Sequence, residues 1–367
     1  MEREIVDRTT GEAGAPREQP SLRVEVTAAP VHPAEALDRI VYLLDRVLAE
    51  PTKVRAFARA RDVVLDRGDD EIARLHAAGK LTELPGIGPT TAKVITESLD
   101  GEVPGYLAHL EKETVLPVGE GAEVRAALRG DCHTHSTWSD GGAPIEKMAR
   151  TAIALGHEYM VLTDHSPRLT VAHGLTAERL LAQLEEVAEL NDRLAPFRIL
   201  TGIEVDILED GALDQREDLL ARLDVVVASV HSKLRMEASE MTRRMVQAIA
   251  SPHVDILGHC TGRKLVGRGR PPSQFDAEVV FAACQRFDTA LEINCRPERQ
   301  DPPDELLDQA IDWGLRFAVD TDAHAPGQME WQAYGCNRAA RAGIEPERIV
   351  NTLPADDLVA WAAGHAG

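Results

Sequence analysis

The sequence holds only five cysteines: Cys132, Cys260, Cys284, Cys295 and Cys336. They are scattered, odd in number and form no CxxC pair. That argues against a disulfide framework and against a thiolate zinc site, and fits a reducing, cytoplasmic compartment. No stretch of about 18 uncharged apolar residues occurs, so no membrane span is expected. The opening Met1-Glu2-Arg3-Glu4 leads into no apolar run, so no secretory signal is expected either. Positive charge is scarce, with 40 Lys and Arg against 61 Asp and Glu and a formal net charge of −21. Such a chain repels nucleic acid at long range. Any contact with it must come from a local feature, or from metal ions that reverse the sign of an acidic site. Aromatic residues make up 4%, which is ordinary for a globular chain.

What is present divides in two. At 367 residues the chain is long enough for two domains or one large one. Residues 1–33 are rich in Glu, Arg, Thr, Ala and Pro with no period, and are expected to be a disordered tail. From Ala34 the pattern is helical. Leu37, Ile40, Val41, Leu44 and Leu48 follow the spacing of a helix face. A second helix is expected after Pro51, with Val54, Phe57, Ala58 and Val63 inward and Lys53, Arg55, Arg59 and Arg61 on a solvated face. The stretch Leu84-Pro85-Gly86-Ile87-Gly88-Pro89-Thr90-Thr91-Ala92-Lys93 follows, and it resembles a helix-hairpin-helix motif. Gly86 and Gly88 allow a tight turn whose backbone N–H groups open the next helix, where the helix dipole favours a phosphate. Gly86, Gly88 and Lys93 are therefore the candidate DNA contacts, and such a contact is independent of base sequence. Residues 34–110 carry 10 Lys and Arg against 13 Asp and Glu, so this module is no basic platform.

After a short connector, the chain from Arg129 alternates short apolar runs with amphipathic stretches. Candidate strands are 129–133, 159–165, 198–207, 225–231, 254–260, 290–295 and 316–322, and candidate helices 144–155, 176–193, 237–250, 276–286 and 303–313. Alternation of this kind argues for a parallel sheet, and seven units suggest a closed barrel. No GxGxxG follows a strand, so a dinucleotide site is not indicated.

The ionisable residues fall where such a barrel keeps its chemistry, at the C-terminal ends of its strands. His133 and His135 alternate onto one side of the first strand, with Asp140 in the loop beyond. Asp164-His165, Glu204, His231, His259 and Asp322-x-His324 end the others. Six of the 13 histidines lie at these ends, beside carboxylates, which packing alone does not explain. Imidazole and carboxylate without thiolate fit Zn, Mn or Fe, and nine ligands are too many for one ion. Two or three ions, with Glu204 bridging a pair, would lower the pKa of a bound water to near 7 and take up charge on phosphoryl oxygens. The reaction class implied is phosphoester hydrolysis.

With these residues in place the chain resembles the polymerase-and-histidinol-phosphatase (PHP) superfamily. The words GDCHTHSTWSDG, LTDHSPRL, GIEVDIL, DVVVASVHS, HVDILGHCTGR, ALEINCRPER and DTDAH are similar to the PHP domain of bacterial family X DNA polymerases. The resemblance implies an α/β fold: a distorted (β/α)7 barrel over 130–367, preceded by a small all-α helix-hairpin-helix domain over 34–118 like the polymerase beta N-terminal domain. It also implies three metals: one on His133, His135, Glu204 and Asp322, a second on Glu204, His231 and His259, and a third on Asp140, His165 and His324. The interval from Leu110 to Gly130 is too short for a polymerase palm, so no polymerase activity is expected. Lyase-active relatives carry a lysine two residues after the motif's Ala. Here that place is Val94, and Lys93 is turned about 100° away on a helix.

Lys233, Arg263, Arg268, Arg270, Arg296 and Arg299 follow the metal-bearing strands and are candidate phosphate contacts, Arg263 first among them as a catalytic clamp. His173 is expected to be a loop residue. Asp131, Asp164 and Asp320 are expected to orient ligands, and Cys260 and Cys295 to pack. Three functions compete: a DNA-end enzyme of the 3′–5′ exonuclease or 3′-phosphatase type, a small-molecule phosphomonoesterase of the histidinol-phosphatase type, and a non-catalytic DNA-binding protein. The full ligand set argues against the third.

Overall fold

The computed structural model describes residues 27, 29–114, 116 and 119–366. Five helices come first: α1 (Pro33–Arg46), α2 (Pro51–Arg67), α3 (Asp69–Ala77), α4 (Pro89–Leu99) and α5 (Gly105–Glu113). They bury an apolar cluster of their own that includes Leu37, Ile40, Leu44, Phe57, Val64, Ile95 and Leu107. The inward face of α2 is Phe57, Ala60 and Val64, whereas Val54, Ala58 and Val63 are only partly buried. Leu48 is not on the α1 face: the helix ends at Arg46, and Leu48 is exposed with φ at 52°. Nor is the arginine face of α2 simply solvated. Arg61 pairs with Asp38 at 2.7 Å, and Arg59 lies against Gly86. Of the expected tail, 1–26 and 28 lie outside the described residues. Thr27 is buried, its N–H and hydroxyl donating to the Glu111 carboxylate at 2.9 and 2.6 Å.

The remainder is one parallel sheet of seven strands in sequential order: β1 (Gly130–Thr134), β2 (Tyr159–Leu162), β3 (Arg198–Asp206), β4 (Val225–Ser229), β5 (Ile256–Leu257), β6 (Ala290–Asn294) and β7 (Phe317–Asp320). Every expected strand is present, the first shifted by one residue and the other six shortened. His133 and Glu204 lie within β1 and β3, and the other candidate ligands follow the strands, beyond the ladder. Between strands run α7 (Ile145–Ala154), α8 (Ala177–Leu194), α10 (Ala238–Ile249), α11 (Ala277–Phe287) and α12 (Asp304–Asp312), with the short α9 (Glu217–Leu220) before β4. Three helices lie outside the repeat and were not foreseen: α6 (Ala122–Ala127) in the connector, α13 (Gln332–Arg341) and α14 (Ala355–Ala363).

The joint between β1 and β7 makes the barrel distorted. A lone bridge pairs Thr134 with Ala323, and the His135 N–H donates to the Ala323 carbonyl at 2.8 Å. Elsewhere side chains replace the ladder. The Cys132 N–H donates to Asp320 Oδ1 at 2.9 Å, and Thr321 donates its N–H and hydroxyl to Asp131. Burial raises the Asp131 pKa to about 6, against hydrogen bonds from Thr321 and His133 that lower it.

The helical unit docks on the segment Pro326–Trp331, which follows the candidate ligand pair Asp322 and His324. The Trp331 indole donates to the Arg46 carbonyl at 2.7 Å, and Tyr42 donates its hydroxyl to Glu330. Gly327 makes this approach possible, since a Cβ there would sit 2.0 Å from the Tyr42 carbonyl oxygen. Among the described residues no helix is long and apolar enough to cross a membrane.

Candidate metal centre

Glu204, near the end of β3, is the hub. Its Oε1 lies 2.8 Å from His259 Nε2 and 3.2 Å from His231 Nε2. Its Oε2 lies 2.9 Å from His165 Nδ1, 3.3 Å from His133 Nε2 and 3.6 Å from His135 Nε2. Strands β1, β2, β4 and β5 thus deliver imidazoles to one carboxylate from around the barrel. Asp322, held at φ 51° beyond β7, places Oδ1 3.4 Å from His135 and 3.9 Å from His133. Asp140 lies 3.3 Å from His324 and 3.5 Å from His165. Its loop is tied down by the Gly142 N–H, which donates to the His324 carbonyl at 2.6 Å.

Three groups have ligand atoms within 4.8 Å of one another: His135, Asp140, His165 and His324; His133, His135 and Asp322; and His165, Glu204 and His231. The groups overlap more than the partition implied by the resemblance, because His135 and His165 each belong to two. These residues fit divalent ions. His133 Nε2, both ring nitrogens of His135 and His231, and Glu204 Oε2 are buried without a hydrogen-bond partner among the described residues, a costly arrangement unless a cation satisfies it. Electrostatics agree. Burial alone would raise the Glu204 pKa, but His231, His133 and His165 hold it well below the usual range. Burial would lower that of His231, but Glu204 and Asp206 raise it to about 9. His135 goes the other way, pushed well down by burial and by His324 and His165.

A shell of acids behind the ligands escaped the sequence reading. Glu292 Oε1 lies 2.6 Å from His133 Nδ1, and its other oxygen accepts the His259 N–H at 2.5 Å. Asn294 donates to Glu292 and Asp322, both at 3.2 Å. Asp206 accepts the His231 N–H at 3.1 Å. Partners of this kind fix ring orientation and raise ligand basicity. The available signal was alternation, since Glu204-x-Asp206 and Glu292-x-Asn294 each point two residues to one side of a strand. Asp164 instead accepts from Ser136, Ser139 and Gln183, bracing the turn that carries Asp140.

The candidate phosphate contacts separate. Arg296 reaches the centre: its Nη1 donates to the Asp322 carbonyl at 2.8 Å and lies 2.9 Å from His324 Nδ1. Arg299 Nε lies 3.4 Å from Asp322. Arg263 is turned elsewhere. Its guanidinium donates to the carbonyls of Arg299 and Gln300, so it holds a loop together rather than a ligand. Lys233 and Arg268 are exposed. His173 is an exposed loop residue at φ 55°. In the hairpin turn the Gly88 N–H is taken by Thr91 Oγ1 at 3.0 Å, so it is not offered to a phosphate as expected. Gly86 supplies the turn at φ 100°. Lys93 is exposed and 3.7 Å from Glu97, and Val94 is buried.

Residues 131–281 match the model of the PHP domain. The chain is 40% identical over 234 residues to the DNA polymerase/3′-5′ exonuclease PolX of Bacillus subtilis, a match covering 64% of this chain and 41% of the Bacillus protein. It is 30% identical over 235 residues to a protein of Thermoanaerobacter sp. strain X514 named "Probable phosphatase", covering 60% of this chain and 89% of that one. The barrel also aligns, at 19% identity and a TM-score of 0.42, with histidinol phosphate phosphatase of Lactococcus lactis, crystallised with zinc, L-histidinol and phosphate, over 59% of this chain and 95% of that one. The chain belongs to the PHP family, and its barrel is that of a hydrolytic phosphoesterase.

Proposed function

We propose that the substrate is a DNA end, from which the barrel removes a 3′ nucleotide or 3′ phosphate with two or three divalent ions held by the nine ligands. The observation that carries the hydrolytic chemistry is the convergence of five imidazoles on the single buried carboxylate of Glu204. The 40% identity to PolX, in a chain spanning 41% of that protein's length, supports the choice of a nucleic-acid end. When bound, divalent ions at these ligands would lower the pKa of water to near 7 and neutralise charge developing on phosphoryl oxygens. The chain's own residues then do the positioning. Glu292 and Asp206 keep His133 and His231 oriented, and Arg296, anchored on Glu298 at 2.9 Å, presents a guanidinium beside Asp322 for a phosphoryl oxygen. We further propose that residues 34–118 form a helix-hairpin-helix domain serving the same substrate.

One observation favours a small phosphomonoester instead. A cavity of about 450 Å³ lined by His231 also carries Asp206, Glu209 and Asp210 against a single arginine, Arg168, which disfavours a polyanion there. Digestion of end-labelled single-stranded and 3′-phosphorylated oligonucleotides with Mn²⁺, alongside histidinol phosphate and an aryl phosphate, separates the two. Laddering or 3′ dephosphorylation that His165→Ala abolishes supports the DNA end. Phosphate release from the small esters alone selects the second reading.

A further inference from the structure

In a chain of net charge −21, residues 263–270 hold four cations, Arg263, Lys264, Arg268 and Arg270, and no acid. The segment follows the ligand His259 and folds as a hairpin. Lys264 and Arg270 exchange both backbone hydrogen bonds, at 2.9 and 2.8 Å, so their side chains leave on the same face. The hairpin is fastened to the loop after β6. The Leu265 N–H donates to the Glu298 carbonyl at 2.7 Å, and Arg263 grips the next two carbonyls. That loop carries Arg299, whose Nε and Nη1 are buried without a hydrogen-bond partner beside the metal ligand Asp322. Partial burial, together with the neighbouring guanidinia of Arg299, Arg270 and Arg296, lowers the Lys264 pKa. Of the nearby acids, Glu298 pairs with Arg296 through Oε1, Asp301 is taken by Thr261 and the Arg263 N–H, and Asp322 faces Arg296 and Arg299 at 3.5 and 3.4 Å as well as the centre. Among the described residues Arg299 Nη1 keeps a buried N–H with no acceptor, and crowded cations with a donor left over are what an anion would relieve. At the tip Leu265 and Val266 are 53% and 59% exposed.

We propose that Lys264, Arg270 and Arg299 form a second phosphate subsite, which takes the phosphodiester next to the scissile phosphate of a nucleic-acid strand. The apolar tip decides between a strand and a free phosphate, since cations flanking exposed apolar side chains suit a backbone with bases attached. The proposal rests on the DNA-end reading, and it places strand binding on the barrel itself rather than on the helical unit.

The test uses the full chain, with Lys264→Gln and Lys264→Arg compared to the wild type. Two quantities are measured: the ratio of kcat/KM for pentathymidylate to that for an aryl phosphate, with Mn²⁺, and the anisotropy of a 5′-labelled pentathymidylate across a salt series. Lys264→Gln should lower the ratio and the affinity about fivefold and flatten the salt slope by about one unit, and Lys264→Arg should restore both. A ratio and an affinity that Lys264→Gln leaves alone overturn the subsite, and so does a parallel fall for both substrates. If the wild type hydrolyses only the aryl ester, the DNA-end reading fails, and the anisotropy series still decides: Lys264-dependent binding keeps the subsite, and no binding removes it.

Discussion

The guanidinium of Arg46, 2% exposed, grips both carboxylate oxygens of Glu330 at 3.0 and 3.1 Å, just beyond the candidate ligand His324. His324 is tied to the same segment, because its N–H donates to Gln328 Oε1 at 2.8 Å. The helical unit and the metal centre therefore share one short piece of chain. Removing one partner of a buried pair leaves an uncompensated charge, at a cost of about 3–5 kcal/mol. Arg46→Ala should lower the unfolding free energy read from urea titration by an amount in that range. A change below about 1 kcal/mol would mean that the pair is solvated and carries little.

Glu292 touches no group of ligands except through His133 Nδ1 and the His259 N–H, so it acts as a positioning residue. Glu292→Ala should weaken metal binding or activity about 10- to 100-fold, with Glu292→Gln recovering part of the loss. Titration of the metal-stripped protein with Mn²⁺, followed by calorimetry, reads this without any turnover. Unchanged affinity in Glu292→Ala would show that the ligand rings are held by packing alone.

All five cysteines are buried. Burial pushes Cys284 and Cys336 up to about 12 and the thiols of Cys132, Cys260 and Cys295 well above their ordinary value. Since the thiolate is the reactive species, the native protein should take up essentially no disulfide reagent at about pH 8 and all five equivalents once denatured. Rapid labelling of a native thiol would reveal an opening of the barrel.

Asp45 on α1 gives a pH dependence with a definite sign. Burial, opposed by Lys147 and reinforced by Asp38, raises its pKa to about 7. In the unfolded chain it titrates near 4. The folded state binds this proton more tightly, so its contribution favours folding at low pH and turns into a cost as the pH rises towards and past about 7. Asp45→Asn should then stabilise by about 1–3 kcal/mol at about pH 8 and by nothing measurable below about pH 4. Equal urea midpoints for the two proteins at about pH 8 would refute this.

The nine candidate ligand positions stand out in the sequence because each ends or follows a short apolar run, and the alternation of His133 with His135 sets a common direction. The polar side chains behind them do not. Glu292, Asn294 and Asp206 sit inside strands, where a polar residue looks like one more solvent-facing position until closure of the sheet turns that face inward. Arg263 was misread for a related reason: its partners are backbone carbonyls of Arg299 and Gln300, and sequence carries no mark of which carbonyls a fold leaves open. The docking of α1 on Pro326–Trp331 was equally invisible, since it depends on the absence of a Cβ at Gly327 rather than on any motif.

The joint between β1 and β7 has a consequence for how this barrel holds its shape. His133 and His135 stand on one side of it and Asp322 and His324 on the other, and a lone backbone bridge with a few side-chain bonds spans the gap. An ion drawn to both sides would act as a rivet across the weakest stave of the barrel. Amides of the two flanking strands would then exchange with solvent at a rate set by metal occupancy, while β3 and β4, joined by five consecutive residue pairs, would be held by their own ladder and respond less.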